Sequence, residues 1–316
     1  MKHNLSNKSI ALACLGLMAL FALMLVASAA PAETFGKLPV PKMTPYLLSL
    51  MKTGQVYDLG SPRAQDMPLW PGHPAFRVIT YKWHGETEDV TPPATLYNEL
   101  FMGTMHSGTH IDSLNHIGEI QPDGSIKLGD GANAKDSKEW WGSNSGDGSK
   151  FHPIILRAVV LDMLKYKGGE DTGGETTMKR GYAITADDIK GCMKAQNIEV
   201  KPEIPTAFLI RTGNYKYFIN RSGLYGGACA GPNLEAEKYL ASIGGRVTGS
   251  DTVSYEEMLV GSHPVHRWMM FNGIFMNEVL NLEEVCKDGA YEGVYIALPL
   301  KIKGTGGSMI DPILIK

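Results

Sequence analysis

The chain lacks the features that mark several classes of protein. Its 30 basic and 33 acidic residues leave a net charge of -3 without any basic run, so nucleic acid is not an expected partner. None of its four cysteines belongs to a C-x-x-C pair, which argues against a zinc–thiolate site. The chain has no G-x-S-x-G elbow, and nothing sets a cysteine beside a base, so a serine or cysteine hydrolase is poorly supported.

Repeats, long linkers and low-complexity blocks are also missing from residues 33–316, which are therefore predicted to form one domain. Hydrophobic residues make up 43% of the chain, enough to build a core. Strand-like runs alternate with helix-like stretches, and this alternation predicts an α/β fold. The predicted strands are Phe76–Tyr81, Ile154–Leu161, Thr206–Ile210, Val294–Leu298 and Ile310–Ile315. The predicted helices are Thr185–Gln196, Pro232–Ile243 and Pro264–Phe271.

Residues 1–32 differ in composition from the rest of the chain. Two lysines precede an apolar run from Ile10 to Ala27, and small residues follow it. This pattern predicts a signal peptide that is cleaved after Ala29 or Ala32. The mature protein is then expected to be periplasmic or secreted, with no stable membrane partner. An uncleaved anchor is the alternative, although the apolar run is slightly short for a spanning helix.

Cleavage would leave three cysteines, Cys192, Cys229 and Cys286. An exported protein can hold one disulfide and one buried thiol among them, and three buried thiols are equally compatible with the sequence. No disulfide is therefore predicted.

The polar stretch Gln121–Lys150 is rich in Gly, Asp, Ser and Asn and carries Trp140 and Trp141. This composition predicts a long surface loop. Loops of such length often act as lids or interface arms, and a plain surface insertion is at least as compatible with the sequence.

The segment His106–His116 places three histidines and one aspartate within eleven residues. The β-branched residues and the Gly-Thr pair in it favour a strand over a helix. In an extended segment His106, His110 and Asp112 point to one face, and Gly108 leaves the space between them open. The pattern therefore predicts a metal-binding set on one strand.

The turn Ser113–Asn115 is expected to bring His116 back over the end of that strand. Imidazole and carboxylate ligands suit zinc, manganese or iron. A set without thiolates leaves coordination positions open for water, which loses a proton more easily when it is bound to a cation. The plainer alternative is a polar strand end whose histidines bond to the backbone.

A second group of candidate ligands lies in the C-terminal half. His263 and His266 stand at the start of a helix-like stretch, and Glu278 follows it. Histidine and glutamate could bind a metal there, but no local rule links residues at this spacing. On spacing alone, His266 is more often a surface or core histidine and Glu278 a solvated charge.

The segment His106–His116 resembles the H-x-G-T-H-x-D-x-x-x-H signature of the cyclase family, metal-dependent hydrolases that include bacterial kynurenine formamidases and isatin hydrolases. The resemblance extends over most of residues 33–316. It includes the segments Tyr57–Leu59, Met67–Gly72, Leu209–Gly213, Gly249–Thr252, Ala297–Lys301 and Gly304–Ser308. It implies a compact α/β domain of the swivelling β/β/α type that forms a homodimer or a larger homo-oligomer.

The resemblance also implies roles for individual residues. His106, His110 and Asp112 are expected to bind a divalent metal, manganese or zinc, and His116 to serve in acid–base catalysis. The expected reaction is hydrolysis of a small amide, formamide, lactam or lactone.

For the second group, the resemblance implies that His266 and Glu278 complete another metal position bridged by Asp112, while His263 offers a competing alignment. Isatin hydrolases resemble single-manganese enzymes without that glutamate, so its presence here favours two metals. Family members are mostly cytoplasmic, which argues against a housekeeping kynurenine formamidase for an exported copy. Near the C-terminus, Asp311 and its neighbours stand where many relatives carry an arginine.

Two other classes of function stay open. An exported protein that binds small molecules or metal ions would bind tightly and form no product. A metal-dependent lyase or cyclase could use the same metal and base on a carbon skeleton.

Four further residues have more than one candidate role. Trp70 could form an apolar wall for an aromatic ring or belong to the ordinary core. Arg211 is expected in a structural salt bridge rather than on a substrate carboxylate. Ser107 and Thr109 could orient metal ligands.

Overall fold

The computed structural model describes residues 34–86, 90–257 and 261–316. The signal peptide predicted for residues 1–32 lies outside them. Phe35–Lys316 form one compact unit, a single mixed α/β domain, so the predicted fold class is confirmed. Among the described residues, none of the helices combines the length and apolar character needed to cross a membrane.

The elements alternate along the chain. The strands are β1 (Val56–Asp58), β2 (Arg77–Lys82), β3 (Asn98–Met102), β4 (His110–Asp112), β5 (Glu119–Ile120), β6 (Ile126–Lys127), β7 (Lys138–Glu139), β8 (Gly142–Ser143), β9 (Ile154–Asp162), β10 (Glu170–Thr172), β11 (Glu175–Thr177), β12 (Ala183–Ile184), β13 (Thr206–Arg211), β14 (Gly231–Pro232), β15 (Gly245–Ser250), β16 (Phe275–Glu278), β17 (Glu292–Ala297), β18 (Gly307–Met309) and β19 (Ile313–Ile315). The α-helices are α1 (Pro45–Leu50), α2 (Ala134–Ser137), α3 (Met163–Lys167), α4 (Ala186–Ala195), α5 (Tyr215–Ile219), α6 (Leu234–Ser242), α7 (Pro264–Phe271) and α8 (Glu283–Lys287).

A nine-stranded sheet forms the centre of the domain, in the order β1-β19-β17-β9-β13-β15-β16-β4-β18. Its middle strands β9, β13, β15 and β16 run parallel. The strands on both flanks are antiparallel. Strands β9 and β13 are apolar and almost wholly buried, as expected for parallel strands covered on both faces. Strand β4, which carries part of the histidine motif, lies between β16 and β18.

The predicted helices 185–196, 232–243 and 264–271 correspond to α4, α6 and α7. Helix α4 begins with a capping box, because the Thr185 hydroxyl accepts the amide of Asp188 while the Asp188 carboxylate accepts the amide of Thr185. Its buried face carries Ile189, Cys192 and Met193. The cap and this face explain why sequence reasoning found the helix.

The three cysteines of the described residues are free and buried. Burial raises the pKa of Cys192 and of Cys229 to about 12. It also raises that of Cys286. These thiols therefore stay protonated at neutral pH, and the structure corresponds to the alternative of three buried thiols.

Gln121–Lys150 is not one irregular loop, contrary to the prediction. It holds four short elements, β6, α2, β7 and β8, and a 3-10 turn at Gly148–Lys150. Its polar residues form local caps: Asn133 accepts the amide of Lys135 and Asp147 that of Ser149. Trp140 is 94% exposed.

The β2–β3 hairpin forms a separate two-stranded sheet. All five residues of β3 and five of the six residues of β2 are exposed. Eight large apolar side chains of the hairpin and its flanks are 40–61% exposed: Val78, Ile79, Tyr81, Trp83, Tyr97, Leu100, Phe101 and Met102. The hairpin therefore carries an apolar surface that this domain leaves uncovered.

Candidate metal centre

The motif segment enters the sheet through a bend rather than as a continuous strand. Only His110–Asp112 are extended, and Gly108 has φ +63°, a value that favours glycine. The expectation that one strand face aligns His106, Gly108, His110 and Asp112 is therefore wrong. A Cβ on Gly108 would meet Ser61 Oγ at 2.9 Å, so its missing side chain does not leave a space between the ligands.

Hydrogen bonds to the backbone hold this bend in place. Arg63 donates to the carbonyls of Ser107, at 3.0 Å, and Thr109. The Thr109 hydroxyl donates to the Val279 carbonyl at 2.6 Å, and that of Ser107 to the Thr104 carbonyl at 2.6 Å. Ser107 and Thr109 thus hydrogen-bond to main-chain carbonyls and position the segment as a whole.

One glycine, Gly307, lets the C-terminal strand β18 approach the motif closely. A Cβ on Gly307 would lie 2.8 Å from His106 Cε1, which is too close, whereas one on Gly306 would make only an ordinary contact, 3.7 Å from His116 Nδ1. Gly307 also pairs with Asp112 across β18 and β4. Within the glycine-rich segment Gly304–Ser308, Gly307 therefore makes room for the ring of His106.

The sheet brings the second group of ligands to the first. Glu278, at the end of β16, is the register partner of His110 on β4. His266 lies in the first turn of α7, whose first residue is Pro264. Residues more than 150 positions apart in the chain therefore meet because β16 and β4 are neighbours.

The structure brings all six sequence-identified residues together. The potential ligand atoms of His106, His110 and Asp112 lie within 4.8 Å of one another, and so do those of Asp112, His266 and Glu278. The Asp112 carboxylate is common to both sets. His263 belongs to neither, so the competing alignment is not the one that the structure brings to the centre.

Individual distances show how crowded the centre is. Asp112 Oδ1 is 2.9 Å from His106 Nδ1 and 3.5 Å from His110 Nε2. Asp112 Oδ2 is 4.0 Å from His266 Nε2. Glu278 lies 3.3 Å from Nε2 of His110 and 3.3 Å from Nε2 of His266. Both carboxylates therefore face imidazole nitrogens and no lysine or arginine among the described residues.

The hydrogen bonds also define the histidine tautomers. His110 Nδ1 lies 2.8 Å from the Gly108 carbonyl, which can only accept, so Nδ1 must carry the proton. The Nε2 lone pair of a neutral His110 then points to Asp112 and Glu278. His266 Nδ1 is likewise bonded to the Glu256 carboxylate. Burial lowers the pKa of His266, but the carboxylates of Glu256 and Glu278 raise it to about 10, so a metal at Nε2 would displace a proton.

Burial and the surrounding charges shift the pKa values of these groups. Burial alone would raise the pKa of Asp112, but the neighbouring His116 and His106 lower it below its ordinary value. Burial would likewise raise the pKa of Glu278, and contacts with His110 and His266 lower it. The two carboxylates are therefore anionic at neutral pH. Burial is the largest influence on His116 and lowers its pKa to about 4.

Two buried atoms of the centre show that it suits a metal ion. His110 Nε2 and Asp112 Oδ2 are inaccessible to solvent and make no hydrogen bond to the described residues. Such unpaired polar atoms are costly inside a protein. Imidazole nitrogens and carboxylates are also the ligands that zinc and manganese accept. The set can hold a divalent ion.

The metal centre forms the floor of a cavity of about 220 Å³. Trp70 lines this cavity, as do four apolar neighbours, Leu69, Ile117, Val253 and Val279. His116 lies in the wall with 26% of its side chain exposed. Its ring is stacked on that of His106, with the centroids 4.0 Å apart.

Arg211 is not among the residues that line the cavity. It bonds to both carboxylate oxygens of Glu283, at 2.8 and 3.0 Å, and to Asp162 at 2.9 Å. This is the structural salt bridge that the sequence favoured.

Sequence reasoning missed three polar residues around the cavity. His73 and Ser254 line it, as does His263, which the sequence had offered as a competing ligand, and Glu256 lies behind His266. Burial lowers the pKa of His73, and its Nδ1 and the Ser254 hydroxyl have no hydrogen-bond partner among the described residues. No motif or spacing marks these residues, so the signal for them was the fold itself.

Comparisons with known proteins agree with this geometry. The family model of the cyclases matches residues 57–257. A solved structure described as a novel cyclase shares 21% identity with this chain, covers 87% of it and 92% of its own chain, and has a TM-score of 0.74. Isatin hydrolase A from Ralstonia solanacearum shares 20% identity over 87% of this chain and 97% of its own, with a TM-score of 0.60.

Isatin hydrolase A from Labrenzia aggregata, solved with benzyl benzoate bound, shares 21% identity over 86% of this chain and 98% of its own, with a TM-score of 0.58. Identities of this size establish a common fold and nothing finer. No curated protein matches the chain.

The family match covers more than half of the 316 residues and includes the whole segment His106–His116. The solved structure described as a novel cyclase shares the large mixed sheet that carries this segment. The chain therefore belongs to the cyclase family.

Proposed function

We propose that the protein is a metal-dependent hydrolase of a small amide, formamide, lactam or lactone. The observation that supports this most is the shared Asp112, which links two sets of metal ligands at the floor of a cavity. His116 belongs to neither ligand set and yet lies in the cavity wall. A centre of this kind combines a place for a cation with a separate proton carrier.

In the proposed reaction the chain binds the substrate, orients it and moves a proton. A bound divalent ion, manganese or zinc, would supply a Lewis acid and a water of lowered pKa. His116 would accept the proton of the attacking water and return it to the leaving nitrogen or oxygen. The stacked ring of His106 limits the rotation of His116, so the proton is accepted at a defined place.

The cavity walls limit the class of substrate. They combine the polar side chains of the centre with an apolar side formed by Leu69, Ile117, Val253 and Val279, and Trp70 offers a flat surface for a ring. Among the described residues, no lysine or arginine lines the cavity. A substrate carboxylate would lose its hydration there without gaining a cationic side chain as a partner. We therefore propose a neutral substrate with an apolar or aromatic body.

Acid release provides the test. Purified protein supplied with MnCl2 or ZnCl2 is expected to release protons from a neutral aryl formamide, an isatin-like lactam or a lactone. The release should stop when a chelator removes the metal. A matched pair, formanilide and its 2-carboxylate derivative, tests the charge preference, and the neutral member should react faster. Bound metal without acid release from any compound would contradict hydrolysis and favour a binding protein or a lyase.

Export to the periplasm or the medium remains a proposal that rests on the sequence of residues 1–32. The three buried thiols need no disulfide and suit either compartment.

We also propose that the protein forms a homodimer or a larger homo-oligomer through the β2–β3 hairpin. A two-stranded hairpin with little packing of its own gains stability when its apolar side chains are covered. A second copy of the same chain is always available. The register places Ile79 opposite Leu100, with Met102 on the same face of the hairpin and opposite Arg77.

The exposed area of the hairpin is large enough for such an interface. Four of the eight side chains are aromatic and carry about 150–250 Å² each, so at roughly half exposure the eight present on the order of 700 Å² over the two faces of the hairpin. A standard interface buries about 800 Å² per partner.

Light scattering after size exclusion tests the hairpin interface. The wild type is expected to have twice the mass of one chain or more, and Leu100→Glu to become monomeric because a charge cannot be buried unpaired. Leu48→Glu is the matched control, since Leu48 on α1 is 55% exposed and Leu100 is 56% exposed. A monomeric wild type, or a Leu100→Glu variant that keeps its oligomeric mass, would contradict the proposal.

A further inference from the structure

Glu256 contacts the metal centre from behind. Its side chain is buried, with 1% of the residue exposed, and its carboxylate accepts a hydrogen bond from His266 Nδ1. The other ring nitrogen, His266 Nε2, lies 3.3 Å from Glu278 and 4.0 Å from Asp112. The imidazole of His266 thus stands between the buried carboxylate and the centre.

The same carboxylate also holds the start of helix α7. It accepts the amide of Val265 at 2.9 Å, and its other oxygen lies 3.2 Å from His263 Nδ1. The first amides of a helix have no partner within the helix and favour a negative charge. Glu256 therefore restrains both the position of the helix that carries His266 and the rotation of the ring.

We propose that Glu256 is a positioning residue for the second metal position. It holds the proton of His266 on Nδ1 and thereby leaves the Nε2 lone pair facing Asp112 and Glu278. A carboxylate bonded to the far nitrogen of a ligand histidine fixes its tautomer and orientation and strengthens it as a ligand. The inference rests on the metal centre proposed above and predicts that the two positions depend on Glu256 to different degrees.

An alternative role for Glu256 is that of a ligand itself. The ligand atoms of Glu256, His263 and His266 also lie within 4.8 Å of one another. A cation there would have to displace the hydrogen bond between Glu256 and His266 Nδ1. Because Nδ1 then loses its proton, the ring would bridge two ions. Counting the bound ions separates this arrangement from the proposed one.

The test measures metal binding and not activity. Metal-free protein is titrated with MnCl2 in a calorimeter, and the bound ions are counted by mass spectrometry of the metal. The wild type is expected to bind two ions. In Glu256→Gln one ion should bind as in the wild type and the other about 10- to 100-fold more weakly. Glutamine keeps the shape of the side chain, so the variant should fold, but its neutral amide is a weaker acceptor and lacks the charge that strengthens His266 as a ligand.

Two controls separate positioning from a general structural effect. Glu257→Gln changes the neighbouring carboxylate and is expected to leave both affinities unchanged. In a His266→Ala background, Glu256→Gln should have no further effect on metal binding, because the ring through which it acts is gone. A further loss in that background would show that Glu256 acts by another route and overturn the inference.

Three further outcomes would overturn the inference. If the wild type binds two ions and Glu256→Gln binds both with unchanged affinity, the inference fails while the metal centre stands. A wild type that binds only one ion contradicts the two-ion centre, and the inference fails with it. Three bound ions would make Glu256 a ligand and overturn its positioning role.

Discussion

Asp112→Asn is expected to abolish binding at both metal positions. The variant keeps the size of the side chain but removes the charge that the two ligand sets share. Asp112 is 1% exposed, and its Oδ2 makes no hydrogen bond to the described residues. In this variant a buried cation would therefore lose the negative charge that both ligand sets share, and no water would take its place.

The size of the effect follows from the burial. Removing one partner of a buried charge pair costs about 3–5 kcal/mol, which corresponds to about 100- to 4,000-fold in affinity. Calorimetric titration with MnCl2 and a count of bound ions check this expectation. Hydrolysis should fall with the bound metal.

Two variants make the result specific to the shared carboxylate. His266→Ala should weaken one ion and spare the other, because His266 belongs to one ligand set only. Asp188→Asn removes a charge from the capping box of α4, away from the cavity, and should leave binding unchanged. Full metal retention in Asp112→Asn would remove Asp112 from the ligand set.

Sequence reasoning succeeded where local chemistry determines local structure. Helix α7 extends from Pro264 to Phe271, as predicted, because proline favours a helix start. The turn after Asp112 was also predictable, and the His116 amide donates to the Ser113 carbonyl at 3.0 Å. These features depend on residues within a few positions of one another.

The shape of the motif was predicted wrongly although its members were found. The alternation of residues suggested a strand from His106 onward, but Gly108 takes a left-handed conformation and the strand begins at His110. The ligands still converge because Arg63, far away in sequence, holds the carbonyls of the bend. The contacts of Arg63, and not a continuous strand, therefore position this part of the motif.

Glu256 could not have been found from the sequence. It lies ten residues before His266, and no periodic element spans the two. Their contact arises because Glu256 meets the first amides of α7, which depends on how the helix packs against the sheet. Glu278 was suggested only by family resemblance, and the pairing of β16 with β4 brings it to His110.

His116→Ala is expected to remove turnover while both metal positions stay intact. His116 belongs to neither ligand set, and its Nε2 lies 3.7 Å from Asp112 Oδ2. A positioned acid–base group contributes about 100- to 10,000-fold to a rate, so a loss of that size is expected in single-turnover acid release. Metal content, measured on the same sample, should equal that of the wild type.

The cavity allows a further test of the proton-transfer role. The wall position of His116 is partly open, with 26% of the side chain exposed, so added imidazole can enter the space that alanine leaves. Added imidazole is expected to restore turnover to His116→Ala and to leave the turnover of the wild type unchanged, because only the variant lacks the proton carrier. His152→Ala, which alters a histidine outside the cavity lining, should keep full activity.

Turnover within threefold of the wild type in His116→Ala would exclude His116 as the proton carrier. Loss of metal together with turnover would make His116 a ligand or a support for His106 instead.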